Sequence, residues 1–295
     1  MQTPWGEVAV LDAHAHFFSR RFFDSLAAQC GKSVDAVAAA LSWDLPPEDP
    51  SELARRWATE LEGYGVARAA MIASIPGDEA SVAAAVKLCP TRFYAFAMVN
   101  PTAENAAVAP GLDAVCLFPA MHQYSMHDPR VLPVLDQAAA QKCAVFVHCG
   151  TLTVGVRKKL GLPSPFNMSF SNPLDLQDVA VRYPGVSFIV PHFGAGYFRE
   201  ALMLADLCPN IYLDTSSTNK WMRYETLDLK GVFRRAVDVL GAGRLLFGTD
   251  SSYFPRGWNY DIFETQTLAL QDLGISTADA RLILGENLER IFSET

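Results

Sequence analysis

The sequence predicts an α/β fold, a (β/α)8 TIM barrel, as a single domain over residues 1–295 with insertions after strands one and five. Three observations predict it. Eight short apolar runs recur along the chain, and longer amphipathic or Ala-rich segments separate most of them. The length of 295 residues also suits a barrel, which needs about 250. The runs are continuous, not alternating, as expected for parallel strands covered on both faces. An open doubly wound sheet is the competing arrangement. It lacks its usual signature here, because Gly194-Ala-Gly196 follows a histidine segment and has no third glycine of the dinucleotide fingerprint.

Strand one is the run Val8–Ala13, which ends in Leu-Asp-Ala-His-Ala-His. Residues 19–50 form a long insertion after it. A helix follows at Ser51–Glu62, with a capping residue and then Leu53, Trp57 and Leu61 at helical spacing. Strand two is Ala67–Ile75, and the Ala-rich segment Asp78–Leu88 is its helix. Strand three is Phe93–Val99; the connection Thr102–Ala109 is too short for a helix. Strand four is Ala114–Phe118, and the helix Asp128–Gln141 opens with Asp-Pro, a good helix start. Strand five is Ala144–Val147, followed by the insertion 149–171 and a helix at Asn172–Arg182 that opens with Asn-Pro. Strand six, Val186–Val190, leads to a helix at Tyr197–Leu207; strand seven, Ile211–Leu213, leads to Leu229–Leu240. Strand eight is Leu245–Gly248, with helices at Tyr260–Leu273, Thr277–Leu284 and Glu286–Phe292 after it. Both insertions leave the carboxyl ends of strands and so lie over the barrel mouth, the face that carries chemistry.

Half the residues are apolar, with 18 Phe, 9 Tyr and 5 Trp, which excludes a disordered chain. Lys and Arg total 24 and Asp and Glu 32, so the net charge is −8. That balance argues against nucleic acid as a partner. No run approaches the roughly 18–20 apolar residues of a membrane span. Met1–Glu7 has no basic segment followed by an apolar one, so no secretory signal is expected. The 6 cysteines are scattered and form no CxxC pair. They read as reduced thiols of a cytoplasmic protein.

The chemistry sits at strand ends. Strand one ends with His14 and His16, two apart and therefore on one side of the strand. Two imidazoles so placed can grip a metal ion, although an isolated pair also arises by chance. Strand five ends at His148, strand six at His192 and strand eight at Asp250. Alone, His148 or His192 would read as a satisfied core histidine. In a closed barrel, however, all four strand ends surround one axis, and the five groups together point to a metal site.

These residues resemble the amidohydrolase superfamily, in particular the amidohydrolase-related branch that includes aminocarboxymuconate-semialdehyde decarboxylase. The matching segments are Asp12-Ala-His14-Ala-His16-Phe, Val147-His148-Cys-Gly, Pro191-His192-Phe-Gly, Phe247-Gly-Thr-Asp250 and Ile283-Leu-Gly-Glu-Asn287-Leu-Glu-Arg-Ile-Phe292. The resemblance runs from end to end; it is specific for the superfamily and weak for substrate. It implies that His14, His16 and His148 are metal ligands. His192 would be a ligand or would orient the water or substrate oxygen, and Asp250 would be a weak ligand and the proton shuttle. Binuclear members carry a carboxylated Lys at the end of strand four. Here that strand reads Ala114-Val-Cys116-Leu-Phe-Pro119, without Lys, so a single divalent ion is expected. Imidazoles plus a carboxylate suit Zn²⁺ best, with Mn²⁺, Fe²⁺ or Co²⁺ as alternatives.

Other candidates are Arg256, beside Trp258 in the eighth top loop, and Arg157 with Lys158 and Lys159 in the fifth. Arg256 could clamp a substrate carboxylate and reads equally as a solvated surface group, whereas the charge run at Arg157 reads first as a solvated face and only second as a substrate contact. His122 and His127 occupy the fourth top loop. Phe17, Phe18, Phe22 and Phe23 could wall a pocket or pack the first insertion onto the barrel. Cys149 is expected to pack, not to react.

The reading that follows is a mononuclear metal-dependent hydrolase. Metal-activated water would attack an amide, lactone or ester carbonyl, with Asp250 as base and then acid and His192 steadying the developing oxyanion. The alternative is a metal-dependent decarboxylase of an unsaturated or aromatic carboxylic acid. A metal-stabilised binding protein is a third reading, disfavoured because structural sites fill all four positions. The expected partner is a small-molecule substrate, a carboxylate for preference, with no membrane; a homodimer rests on analogy alone.

Overall fold

The computed structural model describes residues 1–152, 154–164, 166–216 and 220–293. Thr153 and Pro165 of the second insertion, and the last two residues of the 1–295 span, lie outside the described residues. Eight parallel strands follow one another in chain order: Leu11–His16, Arg68–Ala73, Phe93–Met98, Ala114–Leu117, Ala144–Val147, Phe188–Val190, Ile211–Asp214 and Leu245–Leu246. Strand eight returns to strand one. The Ala13 amide donates to the Phe247 carbonyl at 2.8 Å and the His16 amide to that of Ser251 at 2.7 Å, which closes the barrel.

The strands are mostly apolar because both faces are buried, and their charged and imidazole side chains are confined to strand one, the first residue of strand two and the last of strand seven. Leu11, Ala70, Phe96, Cys116, Phe146, Ile189 and Leu246 form an inner cluster. Their neighbours Val10, Met71, Ala95, Val115, Val145, Val190 and Leu245 pack outward among the helices. The C-terminal helix Asn287–Ser293 plugs the barrel end at which the strands begin. Its Leu288 and Ile291 join the inner cluster, and the Phe292 ring lies 4.5 Å from Tyr94 and 5.7 Å from Phe96. With that end filled by apolar side chains, the polar inward-facing residues collect at the other.

The helix Pro50–Tyr64 shows how the outer layer is specified. Asp49 caps it by accepting from the Ser51 amide, Pro50 occupies the first turn, and Gly65 ends it in the left-handed conformation. It buries Leu53, Trp57 and Leu61 on the barrel, each such burial contributing about 1.5–3 kcal/mol.

The insertion 19–50 folds into two helices, Arg20–Cys30 and Val34–Leu41, capped by Ser19 and Ser33. The insertion 149–171 contains the short helix Gly155–Lys159 and a 3-10 turn at Met168–Phe170. Helices Val34–Leu41 and Gly155–Lys159 pack together, and Arg157 donates to Gln29 Oε1 at 2.7 Å. The two insertions therefore meet over the mouth.

Element boundaries differ from expectation in several places. Strand one starts at Leu11 and extends through His16, because its polar residues pair in the sheet as well as its apolar ones. Strand eight is paired only at Leu245–Leu246. Asn172–Arg182 divides into a 3-10 turn, Pro173–Leu176, and a helix, Gln177–Arg182. The last two helices are one continuous segment, Thr277–Arg281 and Asn287–Ser293 joined by a π turn at Leu282–Glu286. A hairpin pairing Gln2–Thr3 with Gly6–Glu7 precedes the barrel. Among the described residues no helix is long and apolar enough to cross a membrane.

Candidate metal centre

Strand one changes face at a register irregularity between Asp12 and Ala15, so that Leu11 and Ala13 lie in the inner cluster, Ala15 packs outward, and His14 and His16, two apart, share the side toward the barrel mouth. His148 follows strand five directly. His192 and Asp250 stand just beyond strands six and eight, each on a left-handed backbone (φ 56° and 55°) that turns the chain sharply at the mouth. Such conformations are costly for non-glycine residues and persist where the surroundings dictate them. Two glycines make room for this packing. A Cβ on Gly248 would lie 2.8 Å from Asp214 Oδ1 and 3.1 Å from His14 Cβ. A Cβ on Gly150 would lie 2.1 Å from the Gly194 carbonyl, inside the turn that carries His192.

The side chains converge. The ring centroids of His14 lie 5.3 Å from His16 and 4.9 Å from His192, and His192 lies 5.3 Å from His148. Asp250 Oδ1 is 3.1 Å from His16 Nε2 and 3.6 Å from His14 Nε2. His14, His192 and Asp250 offer ligand atoms that all lie within 4.8 Å of one another.

The opposite ring nitrogens are held from outside. His14 Nδ1 is 2.7 Å from Asp214 Oδ2, and His192 Nδ1 donates to the Ser216 carbonyl at 2.7 Å. His16 Nδ1 is 2.7 Å from Ser74 Oγ, whose own proton goes to the Ile72 carbonyl. The Asp214 carboxylate and the Ser216 carbonyl are acceptors and draw a proton to Nδ1 of His14 and of His192, whereas the Ser74 hydroxyl and the Asp250 carboxylate address the two nitrogens of His16 from opposite sides. His148 differs, because its Nδ1 is buried with no partner among the described residues.

Burial drives the pKa of His148 well below its ordinary value and lowers those of His16 and His192. Neutral imidazole is the form that binds metal. Burial would also depress His14, but the charge and hydrogen bond of Asp214 outweigh it and raise this histidine. Burial opposes charge on Asp250 too. Its contact with His16 and the fields of His14 and His192 prevail and hold the carboxyl well below the usual carboxylate range. His16 Nε2 is in hydrogen-bond contact with the ionised Asp250 carboxylate at 3.1 Å. The converging ligand atoms of His14, His192 and Asp250, with the buried His148 Nδ1 that has no partner among the described residues, fit a shared cation.

Comparison with known proteins agrees with this geometry. The amidohydrolase family model matches residues 11–293. The chain belongs to the amidohydrolase family. Over 89 residues, 30% of its length, it is 34% identical to Protein fluG of Emericella nidulans, and it spans about a tenth of that relative's length (10%). Three solved structures share the fold. One is 5-carboxyvanillate decarboxylase LigW2 from Novosphingobium aromaticivorans, with manganese bound: TM-score 0.64, 13% identity, 98% of each chain covered. A candidate 2-pyrone-4,6-dicarboxylic acid hydrolase from Pseudomonas putida has TM-score 0.60 and 17% identity over 97% of this chain and 98% of that one. An amidohydrolase from Burkholderia multivorans with bound zinc has TM-score 0.61 and 14% identity over 96% and 99%.

Around the amidohydrolase centre lies a shell of residues to which the sequence reading gave no role. Asp12 is fully buried and accepts from the amides of His14 (2.9 Å) and Thr249 (3.1 Å), from Trp258 Nε1 (2.8 Å) and from the Thr249 hydroxyl. It ties strand one to the turn that carries Asp250. Burial lifts its pKa to about 6 against the pull of these four donors. Asp214, Ser216 and Ser74 hold ring nitrogens as described. Their only signal in the sequence is position, at or just past strand ends seven and two.

The remaining candidates are engaged elsewhere. Arg256 is exposed and folds back on its own loop, donating to Ser252 Oγ at 2.9 Å. Arg157 donates to the Pro163 carbonyl and to Gln29. Lys158 and Lys159 are exposed. His122 stacks on Tyr124 at 6.5 Å with its Nδ1 buried and without a partner among the described residues, and exposed His127 faces Asp178 at 3.5 Å. Phe17, Phe18, Phe22 and Phe23 are buried. Phe18 alone meets the centre, stacking on His16 at 4.9 Å, while Phe23 packs on Trp43 and Tyr253. Burial pushes the Cys149 and Cys116 thiols up, which keeps both protonated.

Proposed function

We propose that this amidohydrolase is a mononuclear metal-dependent hydrolase acting on an amide, lactone or ester carbonyl. The observation that carries the reading is the convergence of ligand atoms from His14, His192 and Asp250 within 4.8 Å of one another, with Nδ1 of His14 and of His192 engaged outward. His14, His16, His148 and Asp250 would hold the ion, with His192 as a further ligand or as the group that orients water. Zn²⁺ suits these donors best, and Mn²⁺, Fe²⁺ or Co²⁺ are compatible with them. When bound, a divalent cation acidifies water and polarises a carbonyl.

The chain's own groups do the rest. Water oxygen adds to the carbonyl carbon, Asp250 accepts the water's proton, and the C–N or C–O bond breaks as Asp250 returns that proton to the leaving atom. His192 spends its proton on the Ser216 carbonyl, so its Nε2 accepts rather than donates. This favours a place for His192 at the cation or the water over the oxyanion donation first expected.

Decarboxylation is the second reading. It is supported by the shared fold with LigW2 and by the aromatic face that Phe18 sets beside His16. There Asp250 or His192 would first take a proton from water or a substrate hydroxyl, the bond from the substrate carbon to its carboxylate would break, CO2 would leave, and the same group would hand that proton to the carbon. The proposed partner is a small molecule, with a carboxylate favoured by the exposed Lys158 and Lys159 in the mouth insertion. All six cysteines are unpaired thiols, which supports a cytoplasmic setting.

Elemental analysis tests the metal, and one equivalent of a divalent transition ion is expected. Well under one equivalent in fully active protein would sink the reading. A panel of lactones, amides, hydroxybenzoates and muconate-type acids separates the reactions. Ring or amide opening without CO2 supports hydrolysis, and CO2 release supports the lyase.

A further inference from the structure

Strand seven contributes no residue to the converging set, yet its end touches two members of it. Asp214 Oδ2 lies 2.7 Å from His14 Nδ1, and the Ser216 carbonyl takes the His192 Nδ1 proton at 2.7 Å. The Ser216 hydroxyl sits between the two rings, 2.9 Å from His14 Nδ1 and 3.0 Å from His192 Nδ1. Asp214 is itself fixed, because its Oδ1 accepts from the Ser216 amide and the carboxylate has no accessible surface. Three polar groups from one short segment thus address two histidines that come from strands one and six.

We propose that Asp214 and Ser216 are a positioning pair that decides which ring nitrogen of His14 and of His192 faces the barrel mouth with its lone pair. The function assigned to that lone pair rests on the metal reading; the setting of the tautomer does not. The pair acts unequally. His14 receives a carboxylate, which makes it the stronger electron donor, whereas His192 receives a neutral carbonyl. A side-chain substitution can therefore disturb His14 and leave His192 in place.

Asp214→Asn gives the sharp test, since it preserves shape. The Ser216 amide can only donate, so the asparagine must keep its oxygen on that amide and turn its NH2 toward His14 Nδ1. His14 then has to accept at Nδ1, and its proton moves to Nε2. Long-range 1H–15N NMR of metal-free protein reads the tautomer directly. The wild type is expected to show Nδ1–H for both histidines. Asp214→Asn is expected to show Nε2–H for His14 and unchanged Nδ1–H for His192. By competition with a chelator, Zn²⁺ should bind the variant about 10- to 100-fold more weakly than wild type. Ser216→Ala, which keeps the backbone carbonyl, should leave the His192 tautomer as it is and supplies a second variant should Asp214→Asn fold poorly. If His14 keeps Nδ1–H in Asp214→Asn, or if His192 loses it in Ser216→Ala, the pair does not set the tautomers. A wild type that binds no Zn²⁺ yet shows these shifts would overturn the metal reading and leave the positioning role standing.

Discussion

Asp250 carries the most demanding role at the level of single residues. It stands on a left-handed backbone, keeps 19% of its side-chain surface exposed and remains ionised among imidazoles. Asparagine fits the same space without the charge or the capacity to take a proton. Asp250→Asn is expected to cost about 10²–10⁴-fold in kcat, while elemental analysis still finds close to one equivalent of metal on the imidazoles. Normal turnover would remove the shuttle role. His122 makes a different prediction. Burial lowers its pKa to about 4 in the folded chain, against 6.5 for the free side chain. The unfolded chain therefore takes up a proton at pH 6.5 that the folded chain refuses until pH 4. Stability contributed at this position is complete above pH 6.5 and declines as the pH falls toward 4. Allowing for solvent screening of a half-exposed ring, the loss is about 1–2 kcal/mol. The difference in unfolding free energy between wild type and His122→Gln, measured by urea titration at several pH values, should show this slope and level off above pH 7. A constant difference from pH 7 to pH 4 would contradict it.

Elements explain which parts of this arrangement could be read beforehand. Parallel strands buried on both faces leave continuous apolar runs, so all eight strands were legible, and the helices between them followed from capping and spacing. The converging residues were legible because histidine is uncommon here and four of the 6 in the chain stand at strand ends. Asp214, Ser216 and Ser74 were not, because a serine or aspartate at a strand end looks like any loop residue until the strand opposite it is known. Arg157 and Arg256 show the converse: a cation in a mouth loop can be used to bind that loop to itself or to its neighbour. Gly248 belongs to the same level, since it lets strand eight approach strands one and seven. Gly248→Ala would press a methyl against Asp214, Ser216 and His14 at 2.8–3.1 Å. The expected cost is about 1–3 kcal/mol in chemical denaturation, with weaker metal retention on dialysis. An unaltered midpoint together with full metal content would show that this contact has slack.

The whole molecule divides its labour along the barrel axis. Leu288, Ile291 and Phe292 seal one end with apolar packing, and the other end gathers imidazoles and a carboxylate from strands one, five, six and eight under two interlocked insertions. Those strands are far apart in sequence, with 234 positions between His16 and Asp250. An ion bound to all of them would therefore exist only with the folded barrel. Binding to the native state alone adds RT ln(1 + [L]/Kd), about 4 kcal/mol at a thousandfold excess over Kd. For a chain of this size that corresponds to a rise in Tm on the order of 5–10 °C. Calorimetry of metal-loaded and chelator-stripped protein should show this difference, reversible on adding Zn²⁺. His14→Ala with His16→Ala should show none, while its circular dichroism remains that of a folded barrel, because the apolar packing at the sealed end is untouched. A chelator shift that survives in the double variant would place the ion elsewhere in the molecule.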